Sequence, residues 1–204
     1  MARMTRKESH ALTRERLVET AKRLFMADGY NVTPLEKVAT EAGFSKGAVY
    51  SNFATKHELG LAVIDVVHVE RAQSLVDAML PHDNMAERIE GFARWADENI
   101  GDVGWTALEV EFATSTRHMP EIRTELADRR RTLTAMLASV IQTQADQLGL
   151  ELPIAAEDAA LQLLSLGIGL GVQRAIDPEL PVSAIVDLLR SQIAAARTST
   201  SVDS

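Results

Sequence analysis

The chain has 204 residues, 46% of them apolar, with 21 Lys and Arg against 29 Asp and Glu and a formal net charge of −8. It contains no cysteine, which excludes disulfide frameworks, thiolate metal sites and cysteine nucleophiles. Residues 1–58 hold ten basic against seven acidic side chains (net +3) and residues 59–204 hold 11 against 22 (net −11), which indicates a basic binding module on an acidic body unless the asymmetry is chance.

The chain is predicted to begin with a disordered basic arm, residues 1–12, followed by two helices. Apolar residues at helical spacing place the first helix at residues 13–28. The second starts within residues 33–36 (TPLE), which combine a capping-box pattern with proline at the first helical position. It is short and stops at Gly43, a residue type that commonly ends helices.

A third helix is predicted to begin at Ser45, whose hydroxyl is suited to cap it. Val49 and Phe53, four residues apart, give this helix one apolar side. A second capping-box pattern at residues 55–58 (TKHE) opens a long fourth helix. The second helix, a two-residue turn and the third helix together predict a helix-turn-helix, in which the later helix enters the major groove of DNA.

The remainder of the chain is divided by prolines into segments of helical periodicity, and none alternates as a strand does. Helices are predicted at Met85–Ile100, Val103–Arg117, Pro120–Leu148, Ala155–Ala175 and Val182–Ala196. We therefore expect an all-α protein with a helix-turn-helix domain at residues 13–58, a helical domain at residues 59–198 and a disordered tail at residues 199–204.

Residues 43–47 (GFSKG) also match G-x-S-x-G, the pattern of a hydrolase nucleophile elbow, with Ser45 as the nucleophile. An elbow needs a strand immediately before the serine, because the sharp strand-to-helix turn exposes the hydroxyl. The preceding residues 35–43 (LEKVATEAG) read as a helix, and no later histidine stands in a recognisable triad context. The sequence thus favours the helix-turn-helix over the elbow.

One flank of the predicted third helix is small and polar. Lys46 and Tyr50 lie four residues apart, beside Gly47 and Ser51 and opposite the apolar side. Glycine early in a helix weakens it, which is understandable where the backbone must come close to another molecule. The alternative is an ordinary packed tyrosine and a solvated lysine.

Residues 13–63 (TRERLVETAKRLFMADGYNVTPLEKVATEAGFSKGAVYSNFATKHELGLAV) resemble the DNA-binding domain of the TetR family of transcriptional repressors. The resemblance rests on many coincident positions over about fifty residues, among them Gly29-Tyr30, Thr33, Ser45-Lys46-Gly47 and Phe53. The rest of the chain is similar to the family in length and all-α character.

The resemblance implies which residues meet DNA. Thr33, Tyr50, Asn52 and Lys56 would contact phosphates, and Lys46, Gly47, Ala48 and Ser51 would face base edges. Ser45, at the start of the third helix, is also expected among the DNA-binding residues. Lys46 is the main candidate for guanine O6 or N7, although a phosphate would suit it equally. The other groove-facing residues offer few hydrogen bonds, so specificity is expected to depend partly on DNA shape. The basic N-terminal arm, with Arg3, Arg6 and Lys7, either enters a minor groove or is simply disordered.

The last two predicted helices are apolar enough to form an interface as well as a core. In the TetR family the corresponding pair forms a four-helix bundle with its mate, so the resemblance implies a homodimer. The expected interface residues are Leu163, Leu164, Gly167, Gly171, Ile185, Leu189 and Ile193. The alternative is a monomer that buries both helices in its own core.

An effector pocket is predicted between the DNA-binding domain and this interface. Its candidate wall is Phe92, Trp95, Trp105, Leu108, Glu109, Phe112, Arg130 and Leu133, although aromatic residues at helical spacing are often ordinary core. Glu109 and Arg130 lie on apolar faces, where a charge must be paired, so they are expected to bind each other or a ligand.

These patterns predict a homodimeric repressor that releases a palindromic operator when a small, largely apolar effector binds; they do not distinguish it from an activator. The alternative is a helical protein that binds or hydrolyses a small molecule through Ser45. No cofactor or metal is expected, because the spacing of the histidines and acids matches no ligand pattern. Without a signal-peptide pattern, and with no apolar stretch near the roughly 20 residues that a bilayer needs, the protein is expected to be cytoplasmic.

Overall fold

The structure, a computed structural model, describes residues 5–79, 81–82 and 84–202, with side chains up to residue 196. Within these ranges the chain forms nine α-helices and no β-strand, which confirms the all-α prediction. The helices are α1 Arg6–Asp28, α2 Leu35–Ala42, α3 Lys46–Asn52, α4 Lys56–Met79, α5 Met85–Asn99, α6 Val103–Ser115, α7 Pro120–Gln147, α8 Ala156–Arg174 and α9 Ser183–Val202. None of the helices in these ranges has both the length and the apolarity to cross a bilayer.

The chain divides into two compact units. The first consists of residues up to 71 together with 103–126, and the second of residues 72–102 and 127 onward. The sequence predicts a boundary at residue 58. The structural division differs from it, because α6 packs into the same core as the helix-turn-helix. The division of DNA binding and effector binding between residues 13–58 and 59–198 stays a prediction.

The core of the first unit is built around Tyr30, which is buried at the turn between α1 and α2. Its ring meets Phe25 of α1 edge-on, with 5.1 Å between centroids, and Phe112 of α6 in the same way at 5.0 Å. A Cβ at Gly60 of α4 would collide with the Phe112 ring, so this glycine permits the close approach of α4 and α6. The aromatic cluster thus fixes the turn between α1 and α2 against α6.

The second unit has a core of its own, made by α5, α8 and α9. Phe92 is buried there and stacks on Trp95, with ring centroids 6.2 Å apart. The indole of Trp95 donates a hydrogen bond to the Ser74 hydroxyl at 2.8 Å, which satisfies its one polar atom. Arg174, at the end of α8, donates to the backbone oxygens of Asp97 and Leu180. These contacts hold the ends of α5 and α8 together.

Helical structure extends into both predicted terminal segments, whose disorder stays a prediction. Helix α1 begins at Arg6 rather than Thr13, because Thr5 and Glu8 form a capping box: Glu8 N donates to Thr5 Oγ1 at 3.2 Å, and Thr5 N donates to Glu8 Oε2 at 2.7 Å. The predicted tail is helical as far as Val202, since neither glycine nor proline interrupts α9. The predicted arm residue Arg3 and residues 203–204 lie outside the described residues.

Candidate nucleic-acid interface

The turn between α2 and α3 sets the direction of the candidate recognition helix. Gly43 ends α2 in the left-handed conformation (φ 76°), which residues with a Cβ rarely adopt. Phe44 N then donates to Ala39 O at 2.9 Å, which satisfies one of the last carbonyls of α2. Gly43 and Phe44, followed by the N-cap Ser45, therefore turn the chain from α2 into α3, as the sequence predicts.

Ser45 caps α3, since its Oγ accepts a hydrogen bond from Ala48 N at 3.2 Å. The residues before it form α2 and the turn at Gly43, whereas a nucleophile elbow requires a strand at that place. The hydrolytic alternative for Ser45 thus loses its geometric basis. The role of Ser45 in the structure is to cap the N-terminus of α3.

Helix α3 has two unlike flanks, as predicted. Val49 and Phe53 are buried in the core of the first unit, and the Arg14 guanidinium lies 4.1 Å above the centre of the Phe53 ring. The opposite flank is exposed: Tyr50 presents 47% of its surface. The other exposed residues of this flank are Ser45, Lys46, Gly47 and Ser51, with Ala48 partly exposed between the two flanks. This flank of α3 is therefore a narrow polar surface that is accessible to another molecule.

Lys46 makes an ion pair with Glu36 of α2. The hydrogen bond with Glu36 raises the pKa of the Lys46 ammonium and lowers the pKa of the Glu36 carboxyl, so both groups are charged at neutral pH. Both side chains are exposed, and such surface pairs contribute little stability. The pair can therefore be exchanged for a base or a phosphate.

Lys56, at the start of α4, is held over the turn between α1 and α2. Its ammonium donates to Asn31 O at 3.1 Å and lies 4.5 Å from the centre of the Tyr30 ring. Burial lowers the pKa of Lys56, and the Glu111 carboxylate opposes that effect. The Glu111 carboxylate also accepts from Asn31 N at 3.0 Å. Both polar backbone groups of Asn31 are thus bound, one by α4 and one by α6.

A partly buried hydrogen bond joins the Tyr30 hydroxyl and Nδ1 of His57 near this turn, at 2.8 Å. Burial raises the pKa of Tyr30, which keeps its proton. Burial, together with the Lys56 ammonium, lowers the pKa of His57, so its ring is neutral at pH 7 and Nδ1 can accept. Sequence patterns do not reveal this cluster, because Asn31 and its partner on α6 are 80 residues apart.

Thr33 and Asn52 are placed differently from the sequence prediction. The Thr33 side chain is 1% exposed and its hydroxyl donates to Gly29 O at 2.8 Å, so it neither caps α2 nor is free for a phosphate. The predicted phosphate contact of Thr33 stays a prediction. The Asn52 amide nitrogen donates to Ala48 O at 2.8 Å, while Oδ1 is buried without a hydrogen-bond partner in the described part of the chain. Its phosphate contact stays a prediction.

The predicted effector residues fall into both units. Trp105, Leu108, Glu109 and Phe112 belong to the first, and Phe92, Trp95, Arg130 and Leu133 to the second. Leu108 and Phe112 are wholly buried in the first core, as the ordinary-core alternative expects, and their part in an effector pocket stays a prediction. Glu109 lies 3.3 Å from Nε2 of His68, whose ring meets Trp105 edge-on at 5.3 Å. The pocket itself stays a prediction.

The predicted dimer residues differ in burial within the single chain, and the interface itself stays a prediction. Ile185 and Gly171 are buried within their own unit, and Leu163 and Leu189 pack partly against the same core. The exposed apolar stripe of α8 is formed by Leu161, Ile168 and Val172, at 53%, 39% and 37% exposure. Helical spacing identifies apolar positions, but on a helix that is apolar nearly all round it does not show which face is inward.

Two family models match the chain. Residues 17–63 match the model described as "Bacterial regulatory proteins, tetR family", and residues 68–198, more than half of the chain, match "BetI-type transcriptional repressor, C-terminal". Together the two models account for nearly all of the residues from the core of α1 to α9.

Curated relatives match mainly through the N-terminal part. The uncharacterized HTH-type transcriptional regulator YfiR of Bacillus subtilis (strain 168) is 29% identical over 96 residues, 47% of this chain and 46% of that protein. The HTH-type transcriptional regulator TtgR of Pseudomonas putida is 38% identical over 68 residues, 33% of this chain and 32% of that one. The matched segments thus span less than half the length of these relatives.

Solved structures match over almost the whole chain. A putative transcriptional regulator from Rhodococcus sp. RHA1 superposes with a TM-score of 0.72 at 18% identity, covering 91% of this chain and 95% of that one. The reduced form of E. coli NemR gives a TM-score of 0.70 at 19% identity, covering 88% and 97%. At these identities the likeness shows a shared fold.

Proposed function

Because this chain belongs to the TetR family of helix-turn-helix transcriptional regulators, we propose that it is a homodimeric repressor that binds a near-palindromic operator and leaves it when a small molecule binds. The observation that carries the proposal is the exposed polar flank of α3, backed by Val49 and Phe53 in the core. A helix with this division fits the major groove while staying fixed to its own domain.

Selection of bound fragments from a random DNA pool tests this proposal. A twofold dimer should enrich a near-palindrome whose half-sites lie about one helical turn apart, roughly 10 base pairs or a multiple of that spacing. A pool without enriched sequence would contradict operator binding. An enriched single half-site without a symmetric mate would contradict the dimer and leave DNA binding intact.

The exposed stripe of α8 supports the dimer. Leu161, Ile168 and Val172 recur at i, i+7 and i+11, so they lie along one face of the helix. A twofold interface brings the same patch of both copies together, and a continuous apolar stripe suits that arrangement. Light scattering of the full-length protein should give twice the monomer mass of 22.3 kDa.

Effector control is proposed to act through α6. This helix carries Trp105 and Glu109, two of the predicted effector residues, and also Glu111, which binds the turn before α2 through Asn31 N. A small, largely apolar molecule that shifts α6 would disturb this contact and the position of the DNA-binding helices. The protein dissociates from the operator if the effector binds the shifted arrangement of the helices more tightly than the DNA-binding arrangement by a few kcal/mol.

The contact between Glu111 and Asn31 gives a testable prediction. Glu111→Ala should weaken operator binding about threefold to tenfold, because a charge-assisted hydrogen bond that orders the turn is lost. Glu111→Gln should restore most of the affinity, since an amide oxygen still accepts from Asn31 N. Fluorescence anisotropy with labelled operator measures both. Glu98→Ala removes the same charge from an exposed site on α5; if it weakened binding as much, the contact would not be the cause.

Tyr50 and Lys46 are expected to contribute differently to DNA binding. Tyr50→Ala should weaken binding to every DNA sequence about tenfold. This is the effect expected when the hydrogen bond from the tyrosine hydroxyl to a phosphate and the contact of its ring with the DNA are both lost. Lys46→Ala should instead relax the preference at one base pair of each half-site, by about 1–3 kcal/mol of discrimination. Repeating the selection with each variant checks the division, which would be wrong if Tyr50→Ala changed the enriched sequence and Lys46→Ala did not.

A further inference from the structure

The first two turns of α1 project beyond the core of their unit. Residues 5–12 are all exposed, and the first fully buried residue of the helix is Leu17. Local hydrogen bonds support this segment: the capping box of Thr5 and Glu8, and a bond from the Thr13 hydroxyl to Ser9 O at 2.9 Å. The segment is therefore ordered without contributing buried surface to the core.

This segment forms a hollow with α3. The hollow has a volume of about 320 Å³. Its lining residues are Thr5, Arg6, Ser9, His10 and Thr13 from α1, with Ala48, Ser51 and Asn52 from α3. None of these eight described residues is acidic, and most carry a hydroxyl, guanidinium, imidazole or amide group. Ala48 and Ser51 belong to the part of α3 that we propose meets DNA.

The lining fits a phosphate. Phosphate oxygens only accept hydrogen bonds. The Arg6 guanidinium and the Ser9 hydroxyl can donate them, whereas the Thr13 and Ser51 hydroxyls already donate to Ser9 O and Ala48 O. No ion pair within the described part of the chain holds the Arg6 guanidinium, which leaves its donors available. The backbone of one DNA strand borders any helix that lies in the major groove, and most protein–DNA hydrogen bonds go to that backbone.

We propose that the hollow between the start of α1 and α3 binds a backbone phosphate of the operator strand that borders α3, with Arg6 making the charged contact. The inference rests on the proposed function, and it adds a contact that the sequence pattern assigned to a disordered arm. In this arrangement α1 and α3 hold one strand from two sides, so the start of α1 fixes the depth and register of α3.

Lys7 provides a matched control for Arg6. Arg6, Ser9, His10 and Thr13 share one face of α1, whereas the next residue, Lys7, is turned by about 100° and does not line the hollow. Arg6→Gln and Lys7→Gln remove the same charge from neighbouring exposed positions. A general electrostatic effect of the basic segment would affect both variants alike, and a phosphate seated in the hollow would affect only the first.

The experiment measures operator affinity of the full-length protein against salt concentration, with the fragment recovered by selection. Arg6→Gln should weaken binding about tenfold and reduce the slope of log K against log[salt] by about one, as expected for one lost phosphate contact. Lys7→Gln should change the Kd less than twofold. Arg6→Lys should recover the slope and part of the affinity, because it keeps the charge and loses the planar fork.

Equal effects of Arg6→Gln and Lys7→Gln, or wild-type affinity of Arg6→Gln, would overturn the phosphate site. Circular dichroism of each variant establishes that α1 is retained; a loss of helix confined to Arg6→Gln would make Arg6 structural and overturn the site as well. Tyr50→Ala separates this inference from the proposed function. If Tyr50→Ala weakens binding and Arg6→Gln does not, the repressor proposal stands without the hollow, and a wild-type protein that binds no operator contradicts both.

Discussion

Gly47→Glu is expected to abolish operator binding, with a loss of at least about 100-fold, while the protein stays folded. Gly47 lies on the exposed flank of α3, and a Cβ there would meet only the Ser45 hydroxyl, at 3.8 Å. A carboxylate placed at this point would face the negatively charged phosphates of the DNA, and such like-charge contacts cost several kcal/mol. The folded chain has room for the side chain, so the defect should appear only with DNA.

Gly47→Ala tests the same flank of α3 with a small uncharged side chain. Alanine in place of a helical glycine should raise the free energy of unfolding by about 0.5–1 kcal/mol, because it reduces the entropy that α3 loses on folding. The added methyl group should nevertheless weaken operator binding where the backbone of α3 approaches the groove. Thermal unfolding measures the stability of each variant, and fluorescence anisotropy of the same samples measures its operator affinity. For Gly47→Glu, the control for the added charge is Thr132→Glu on the exposed side of α7. Unchanged affinity in Gly47→Glu would mean that this flank does not face DNA.

Phe112→Ala is expected to lower the free energy of unfolding by about 3–5 kcal/mol, the range for deletion of a buried phenylalanine. The Phe112 ring is fully buried, and it meets Tyr30 at 5.0 Å and His57 at 6.4 Å between centroids. Loss of the ring would leave space beside Gly60, which the surrounding core is expected to fill only in part. Since domains are stable by about 5–15 kcal/mol, this change removes a large share of the total.

Urea denaturation followed by circular dichroism measures the loss through the transition midpoint. Val110→Ala on the same helix serves as the control, because Val110 is 44% exposed and should change stability by less than about 1 kcal/mol. Equal destabilisation by the two variants would contradict the placement of Phe112 at the centre of the first core. In operator-binding assays, the surviving folded fraction of Phe112→Ala should also bind more weakly, because Tyr30 loses its support from α6.

Much of the secondary structure is predictable because its signals are local. The Ser45 cap, the glycine at the end of α2 and the apolar pair Val49 and Phe53 lie within a dozen residues, and each behaves in the structure as its pattern predicts. The signal for the start of α1 is also local, because Thr5 and Glu8 form a capping-box pattern. The charged residues around them are equally typical of disordered segments, so the pattern did not lead to a helix prediction.

The parts that sequence patterns do not predict depend on distant contacts or on choosing one face of a helix. Thr33 fits a capping pattern, yet its hydroxyl binds Gly29 O because the turn folds back on α1. Glu111 binds Asn31 across 80 residues, which no local periodicity encodes. Ile185 and Leu161 are both apolar residues of the last two helices, and only the packed structure separates the buried one from the exposed one.

The central claim, that the exposed flank of α3 lies against DNA, is tested most directly by thiol protection. The chain has no cysteine, so Ser51→Cys introduces a single thiol on that flank, and Thr132→Cys introduces one on α7 as a control. Saturating operator DNA is predicted to slow maleimide labelling of the Ser51→Cys thiol at least about tenfold and to leave the Thr132→Cys rate unchanged. Equal labelling of the Ser51→Cys thiol with and without bound operator would contradict the account.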